Sequence, residues 1–243
     1  MKAPPPAPST ETIPMRPEEH RLLSTLLQER TGLVFGADSA RHLERRLAAR
    51  VEALDLTSFS AYHRYLRTHP GGEDELQHVY DLVTNNETYF FREDYQFQVF
   101  REQILPRLAR EARGRRNLTC WSMGCSTGEE AYSIAMVVLE SGLCDSNVRV
   151  YGTDLSRRCV VAARRGVYGD NAFRSTSPER RARFFVPARG GVRVAPPVRE
   201  MCHFVQHNLL ALDAKTVIDQ VDVVFCRNVL IYFEPDVRRR VIW

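Results

Sequence analysis

Residues 121–130, with the sequence W-S-M-G-C-S-T-G-E-E, combine a glycine-containing turn with two acidic residues. The run follows an apolar, strand-like segment and opens a helix-like one. Its glycines allow a tight turn and a close approach of a ligand to the backbone. Acidic side chains at a helix start would repel a phosphate, and the G-x-G-x-x-G spacing of dinucleotide sites is absent. The pattern favours a cationic cofactor without phosphate, such as S-adenosylmethionine; an ordinary strand-to-helix turn is the alternative.

Asp154 stands at the end of the next apolar segment along the chain. An acidic residue at this place can accept hydrogen bonds from the two ribose hydroxyls of a nucleoside. It can equally serve as the N-cap of a helix that starts at Leu155. The sequence leaves both roles open.

Residues 85–92, N-N-E-T-Y-F-F-R, place polar side chains directly beside aromatic ones. This mixture indicates a segment that lines a site. Arg92 would need a carboxylate or other acceptors if it were buried among apolar residues. A linker that is held in place by its aromatic side chains is the alternative.

Residues 225–233, F-C-R-N-V-L-I-Y-F, continue a strand-like segment beyond its carboxyl end. In many nucleic-acid methyltransferases that act on amines, this place holds Asn or Asp followed by P-P-Y or P-P-F. Here Asn228 is followed by V-L-I-Y, which weakens that interpretation. An ordinary buried strand end is the alternative.

The elements that position these residues alternate between strands and helices from Leu118 onward. Such alternation implies parallel pairing and a doubly wound α/β sheet. Ligands of these sheets bind beyond the carboxyl ends of the strands, so the loops after the strands should meet at one site. The predicted elements are strands Leu118–Met123, Val148–Thr153, His203–Gln206 and Val221–Cys226 and helices Glu129–Ser141 and Leu155–Arg165.

The chain before this sheet is predicted to be helical. A proline-rich leader, residues 1–16, is expected to be disordered, an all-helical domain to cover 17–85, and the α/β domain to cover 86–243. Residues 169–200 fit neither pattern and predict a small β insertion, with a short helix at 178–185 and a hairpin turn at 189–191. The predicted N-terminal helices are Pro17–Thr31, Ser39–Leu54, Phe59–Leu66 and Glu73–Val83.

The composition excludes some classes of protein. No apolar run approaches the ~20 residues needed to cross a bilayer, so no membrane insertion is expected. The six cysteines form no C-x-x-C pair, which suits a reducing cytoplasm. His203 and His207 have no third ligand nearby, so no metal site is expected. The net charge of +4 favours an acidic partner, either nucleic acid or a protein surface.

Three motifs, in their order and spacing, resemble the CheR family of chemotaxis receptor methyltransferases. They are N-x-T-x-F-F-R-E, S-T-G-E-E-x-Y-S-I-A and F-C-R-N-V-x-I-Y-F, and the resemblance extends over almost the whole chain. It implies a Rossmann-like methyltransferase fold and a cytoplasmic, monomeric enzyme. The implied reaction moves a methyl group from S-adenosylmethionine to glutamate side chains of chemoreceptors, leaving S-adenosylhomocysteine.

The resemblance also implies roles for individual residues. Arg92 and Tyr232 match family residues close to the transferred methyl group. A basic second helix matches the family's docking site for receptor methylation helices, through Arg41, Arg45, Arg46 and Arg50, although these could simply be solvated charges. The positions that match cofactor contacts are Asn86, Thr88, Arg92, Glu130, Asp154, Asn208, Leu209, Arg227 and Asn228.

The sequence departs from the family after Y-F-E-P at 232–235, where relatives usually continue through a helix and further strands. The sheet is therefore expected to lack its last strands and to expose an apolar edge. This departure leaves open a non-catalytic adaptor that retains receptor and cofactor binding. Arginines around 107–116 suggest a nucleic-acid methyltransferase, but the missing P-P-Y motif counts against it, so no nucleic-acid partner is expected.

Overall fold

The computed structural model describes residues 13–111, 118–142, 148–211, 218 and 220–242. The chain divides into two compact units, Met1–Val83 and Thr84–Trp243, and each is described by itself. Within the described ranges, no helix has the length and apolar character that a membrane span requires.

The N-terminal unit is built from helices. Apolar residues at helical spacing bury one face of the first helix, where Leu23, Leu26 and Leu27 are inaccessible to solvent. Gly32 ends that helix in the left-handed conformation, with a φ of 74°. The prediction for this helix is confirmed at both ends. The four α-helices described in this unit are α1 (Pro17–Thr31), α2 (Ala40–Ala53), α3 (Phe59–Thr68) and α4 (Gly72–Val83), and a 3₁₀ turn, Ala37–Ser39, precedes α2.

A buried carboxylate joins three of these helices. Glu75 on α4 is 4% exposed. It accepts a hydrogen bond from the Tyr62 hydroxyl of α3 at 2.6 Å, and Arg50 of α2 donates to it through Nε at 2.8 Å and through Nη2. Burial opposes ionisation of Glu75, but the hydrogen bonds from Arg50 and Tyr62 outweigh it and hold its pKa below the usual value.

The arginines of α2 therefore do not all lie on a free face. Arg50 is engaged with the buried carboxylate, and Arg46 donates through Nη1 to the backbone oxygen of Leu82 at 2.6 Å. Both side chains tie α2 to α4. Arg41 and Arg45 are exposed.

The C-terminal unit is an α/β structure. Its helices are α5 (Asp94–Val99), α6 (Leu105–Glu111), α7 (Glu129–Glu140), α8 (Arg157–Arg165), α9 (Pro178–Phe184), α10 (Pro196–Glu200) and α11 (Pro235–Ile242), and a π-helical segment, Phe100–Ile104, joins α5 to α6. Its strands are β1 (Leu118–Met123), β2 (Val148–Asp154), β3 (Val167–Tyr168), β4 (Phe185–Ala188), β5 (Gly191–Val194), β6 (Cys202–Gln206) and β7 (Val223–Phe225).

The larger sheet has the order β6-β2-β1-β7, and all of its pairs are parallel. Leu118 pairs with Val148, and the same register continues to the carboxyl ends of both strands. Helix α7 packs against the sheet and is buried over most of its length. The predicted mainly parallel α/β fold with an N-terminal helical module is confirmed. Strand β7 lies at one end of the described order, and its Val224 is half exposed.

The insertion forms a second, antiparallel sheet with the order β3-β5-β4. The predicted hairpin is confirmed, because β4 and β5 pair on either side of residues 189–190. Gly191 needs to be glycine here: its φ is 144°, and a Cβ would lie 2.1 Å from the backbone oxygen of Tyr168. The sheet begins at Val167, slightly before the predicted start of the insertion.

Candidate functional site

The carboxyl ends of β1 and β7 are brought into contact by a glycine. Gly124 follows β1 with a φ of 67°, and a Cβ at this position would lie 2.3 Å from Cγ2 of Val229 in the loop after β7. Only a residue without a side chain allows the two loops to approach this closely. The glycine-containing turn is therefore packed against the F-C-R-N-V segment.

Asp154 holds the same turn from the end of β2. Its Oδ2 accepts the backbone N–H of Ser126 at 2.8 Å, and its Oδ1 accepts that of Ser156 at 2.8 Å. Helix α8 begins at Arg157, and the side chain of Ser156 caps it. The alternative in which Asp154 caps a helix starting at Leu155 was wrong. Each carboxylate oxygen can accept more than one hydrogen bond, so contact with a ribose remains compatible with this geometry.

Ser126 connects the turn to the N-x-T-x-F-F-R segment. Its hydroxyl donates to the backbone oxygen of Asn86 at 2.9 Å, and its own φ of 49° is left-handed. Backbone strain of this kind persists where surrounding contacts impose it. Sequence reasoning did not single out Ser126; a small hydroxyl residue beside two glycines was the available signal.

Arg227 lies in the loop after β7 and joins it to the start of α7 and to the segment that carries Arg92. Its side chain is 9% exposed. Nη1 contacts Glu130 at 3.3 Å, and Nη2 donates to the backbone oxygen of Arg92 and to Glu93 at 3.3 Å. Nε is buried and has no hydrogen-bond partner among the described residues. A buried N–H without a partner is costly, so this donor suits an acceptor on a ligand.

Two carboxyl groups at the start of α7 have perturbed acidity. Burial raises the pKa of Glu130 to about 7, although hydrogen bonds from Ser122 and Arg227 favour the ionised form. Burial likewise raises the pKa of Glu129 to about 7, opposed by a hydrogen bond from Thr127. A cation beside a buried carboxyl favours the ionised form. The pair therefore suits a positively charged ligand such as the ammonium group of S-adenosylmethionine.

Arg92 lies between two residues with left-handed backbone. Phe91 has a φ of 56° and Glu93 a φ of 55°, a conformation that is rare for a bulky side chain. The N–H of Phe91 donates to Ser133 of α7 at 3.0 Å. The guanidinium of Arg180 lies 3.9 Å from the centre of the Phe91 ring. The residue before Arg92 is thus held by α7 and by Arg180.

The Arg92 side chain folds back over its own segment. Its Nη1 donates to the backbone oxygen of Glu87 at 2.9 Å, and its guanidinium lies 5.7 Å from the centre of the Tyr89 ring. Arg174 from the insertion lies 3.8 Å from the centre of the same ring and pairs with Glu87 at 2.8 Å. Arg174 was not among the predicted site residues, because nothing in its local sequence indicates that it contacts residue 89.

Tyr232 closes the loop after β7 in a single 3₁₀ turn, Leu230–Tyr232. Its hydroxyl oxygen accepts a hydrogen bond from the side-chain amide of Asn85 at 2.9 Å. The segment that carries Arg92 therefore also contacts Tyr232.

The remaining predicted residues lie in the same loops. Thr88 and Asn228 are half-buried, and Asn228 has a φ of 56°. After β6, Asn208 accepts the N–H of Leu210 through its side chain at 3.0 Å, and Leu209 is buried. This loop is tied to the site by the N–H of His207, which donates to the backbone oxygen of Asp154 at 2.9 Å.

The described contacts thus join five of the predicted cofactor residues into two connected groups, Asp154 with Asn86 and Glu130 with Arg227 and Arg92. Asp154 and Asn86 meet through Ser126, and Glu130 and Arg92 meet through Arg227. The four arginines of α2 belong to the N-terminal unit.

Comparisons with known proteins match both units. The family described as "CheR methyltransferase, all-alpha domain" matches residues 18–84, and "CheR methyltransferase, SAM binding domain" matches residues 86–243. Chemotaxis protein methyltransferase 1 of Pseudomonas aeruginosa is 35% identical over 232 residues, covering 92% of this chain and 82% of the relative. The chemotaxis protein methyltransferase of Vibrio parahaemolyticus is 37% identical over 238 residues, covering 95% and 84%. That of Escherichia coli K12 is 32% identical over 241 residues, covering 96% and 80%. The chain belongs to the CheR methyltransferase family, whose cofactor is S-adenosylmethionine.

Proposed function

We propose that this protein transfers a methyl group from S-adenosylmethionine to glutamate side chains on the cytoplasmic helices of a chemoreceptor, forming glutamyl methyl esters. The names of its relatives, chemotaxis protein methyltransferases, support this substrate class. The structural observation that carries the proposal is the bridge made by Arg227. It joins Glu130, which suits a cationic cofactor, to the backbone of Arg92.

Each part of the cofactor has a matching group in the site. Glu130 faces its ammonium, and the buried Nε of Arg227 supplies a donor for its carboxylate. Asp154 accepts from the ribose hydroxyls while it holds the glycine turn. Residues of the surrounding loops complete the contacts: Asn86, Thr88, Arg92, Asn208, Leu209 and Asn228.

The chemistry needs alignment more than proton transfer. When bound, S-adenosylmethionine supplies a methyl group on a sulfonium sulfur. A glutamate side chain has a pKa of about 4.3 and is already an anionic nucleophile at neutral pH, so no general base is required. A carboxylate oxygen bonds to the methyl carbon as the carbon–sulfur bond breaks, which neutralises both charges. A buried site therefore does not oppose the reaction.

Arg92 and Tyr232 orient the substrate carboxylate by hydrogen bonds. Both side chains carry hydrogen-bond donors, and a guanidinium suits a carboxylate in charge and shape. Holding the reacting atoms at roughly 3–3.5 Å is the contribution expected of such groups.

The helical unit contributes receptor docking. Arg41 and Arg45 are exposed on α2 and suit the acidic surface around methylated glutamates. Arg46 and Arg50 hold α2 in place and support that surface. We place the activity in the cytoplasm, because the described cysteines are free thiols, which suits a reducing compartment.

The test uses cofactor with a labelled methyl group and receptor cytoplasmic fragments. Base-labile label on the receptor is expected, since glutamyl esters hydrolyse in alkali. Arg92→Ala should lower turnover about 100-fold through misalignment, and Tyr232→Phe about tenfold through loss of one hydrogen bond. Arg239→Ala, on exposed α11, and Tyr65→Phe, in the N-terminal unit, are matched controls that should retain activity.

Three results would contradict the proposal in different ways. Full activity of both site variants would show that the roles of Arg92 and Tyr232 are wrong. Alkali-stable label on RNA would indicate a nucleic-acid methyltransferase. Cofactor binding by the wild-type protein without transfer to any receptor fragment would indicate an adaptor.

A further inference from the structure

We infer that Asn85 is a positioning residue for methyl transfer, which acts by fixing the proton of the Tyr232 hydroxyl towards the substrate carboxylate. The inference rests on the proposed function, because it requires that Tyr232 contacts the substrate. Asn85 lies outside the N-x-T-x-F-F-R-E motif and directly before it.

The observation is a hydrogen bond between residues that are 147 positions apart. Nδ2 of Asn85 donates to the hydroxyl oxygen of Tyr232 at 2.9 Å. The backbone end of Tyr232 is fixed separately, because its N–H donates to the oxygen of Val229 at 3.1 Å and the N–H of Phe233 donates to that of Leu230 at 3.1 Å. Asn85 therefore fixes the end of the side chain that the turn itself leaves unfixed.

The direction of this bond decides what the phenol can do. A phenol has one proton to donate, and its oxygen can also accept. An amide N–H can only donate, so it occupies the acceptor side of the Tyr232 oxygen and leaves the proton for another acceptor. A substrate carboxylate carries no proton and is such an acceptor. Accepting a hydrogen bond also strengthens the bond that the same hydroxyl donates.

Two residues link the same pair of loops among the described contacts: Arg227, which also contacts Glu93, and Asn85. The first link runs from Nη2 of Arg227 to the backbone oxygen of Arg92. The second runs from Asn85, at the start of the same segment, to Tyr232, at the end of the same loop. Together they hold the two groups assigned to the substrate, Arg92 and Tyr232, in a fixed relation. The contact from Arg227 fixes the backbone of Arg92, and the contact from Asn85 sets the direction in which the Tyr232 hydroxyl donates its proton.

A double-mutant cycle tests this role. The four proteins are the wild type, Asn85→Ala, Tyr232→Phe and the double variant, assayed for kcat and KM with receptor fragments and for the Kd of S-adenosylhomocysteine. Asn85→Ala should lower kcat about three- to tenfold, the equivalent of one hydrogen bond, with the Kd unchanged. In the Tyr232→Phe background, Asn85→Ala should have no further effect, because the hydroxyl on which it acts is gone.

Asn85→Asp supplies an isosteric second test. The side chain keeps its size, but a carboxylate only accepts hydrogen bonds, so it takes the Tyr232 proton away from the substrate. Its kcat should fall at least as far as that of Asn85→Ala. Asn85 is exposed, so both variants should melt at the temperature of the wild type.

The outcomes separate this inference from the proposed function. Wild-type kcat in Asn85→Ala or Asn85→Asp would overturn the inference. Equal losses from Asn85→Ala with and without the Tyr232 hydroxyl would also overturn it, because a general structural role acts in both backgrounds. If Tyr232→Phe itself has wild-type activity, the assignment of Tyr232 in the proposed function fails first.

Discussion

Cofactor affinity should rise with pH, because Glu130 must be ionised to bind an ammonium group. In the free protein, burial raises the pKa of Glu130 to about 7. A carboxyl with this pKa is ionised in about one tenth of molecules at about pH 6 and in about three quarters at about pH 7.5. The affinity for a ligand that requires the carboxylate should therefore increase about eightfold over this range. The sign follows from linkage: the bound cation lowers the pKa of Glu130, so binding below pH 7 releases a proton.

Isothermal titration calorimetry with S-adenosylhomocysteine measures both the Kd and the number of protons released on binding. The Kd is compared at the two pH values, and buffers of different ionisation enthalpy report the proton that is released. 5′-Methylthioadenosine is the matched ligand control, because it keeps the nucleoside and lacks the ammonium; its Kd should not follow the same pH dependence. Glu130→Gln is the matched protein control, since it keeps the shape and loses the ionisation.

Glu130→Gln should bind S-adenosylhomocysteine more weakly at the higher pH and with little pH dependence. Any slope that persists in this variant belongs to Glu129, whose pKa is also about 7. A single wild-type Kd at both pH values, or a full eightfold change in Glu130→Gln, would show that Glu130 does not cause the pH dependence.

Two further substitutions test the packing around the site and in the helical unit. Gly124→Ala should weaken cofactor binding at least tenfold or destabilise the fold by about 1–3 kcal/mol, because its Cβ would overlap Val229 and its φ is positive. Adding Val229→Ala to this variant should restore part of the loss. Wild-type affinity and melting temperature in Gly124→Ala would contradict the close contact. Tyr62→Phe should cost about 1.5–3 kcal/mol in urea denaturation at neutral pH, because the hydroxyl donates to a buried carboxylate. Since the pKa of Glu75 is lowered in the folded state, the stability it contributes is present above its unfolded pKa of about 4.3 and is lost as pH falls through the folded value. The difference between Tyr62→Phe and wild type should therefore shrink below about pH 4, and Tyr65→Phe should show no such effect.

Much of the fold follows from local patterns. Helix α1 was predicted at both ends because leucines at helical spacing and a terminal glycine are local signals. The hairpin between β4 and β5 follows from a G-G pair between two apolar runs. Strand β7 is shorter than its apolar run, Val221–Cys226, because pairing with β1 covers only Val223–Phe225.

The chemistry of the site was indicated less evenly. The S-T-G-E-E run favoured a cationic cofactor over a phosphate, because acidic residues at a helix start repel an anion, but it left an ordinary strand-to-helix turn open. The partners of Asp154 were not predictable, because the choice between capping α8 and holding Ser126 depends on where the helix begins. The contact of Arg174 with Tyr89 was not predictable either, because the insertion that carries Arg174 is distant from Tyr89 along the chain.

The type and order of the elements, the family and the residue types available at the cofactor site could all be predicted from the order of the amino acids. These depend on periodicity, turn residues and motifs, which are properties of neighbouring positions. Which side chains meet could be seen only in the folded chain: Arg50 with Glu75, Arg227 with Glu130, and Asn85 with Tyr232. This is because a hydrogen bond forms only when donor and acceptor lie within a few tenths of an ångström of about 2.9 Å, and that spacing arises from strand register and loop conformation across the whole unit.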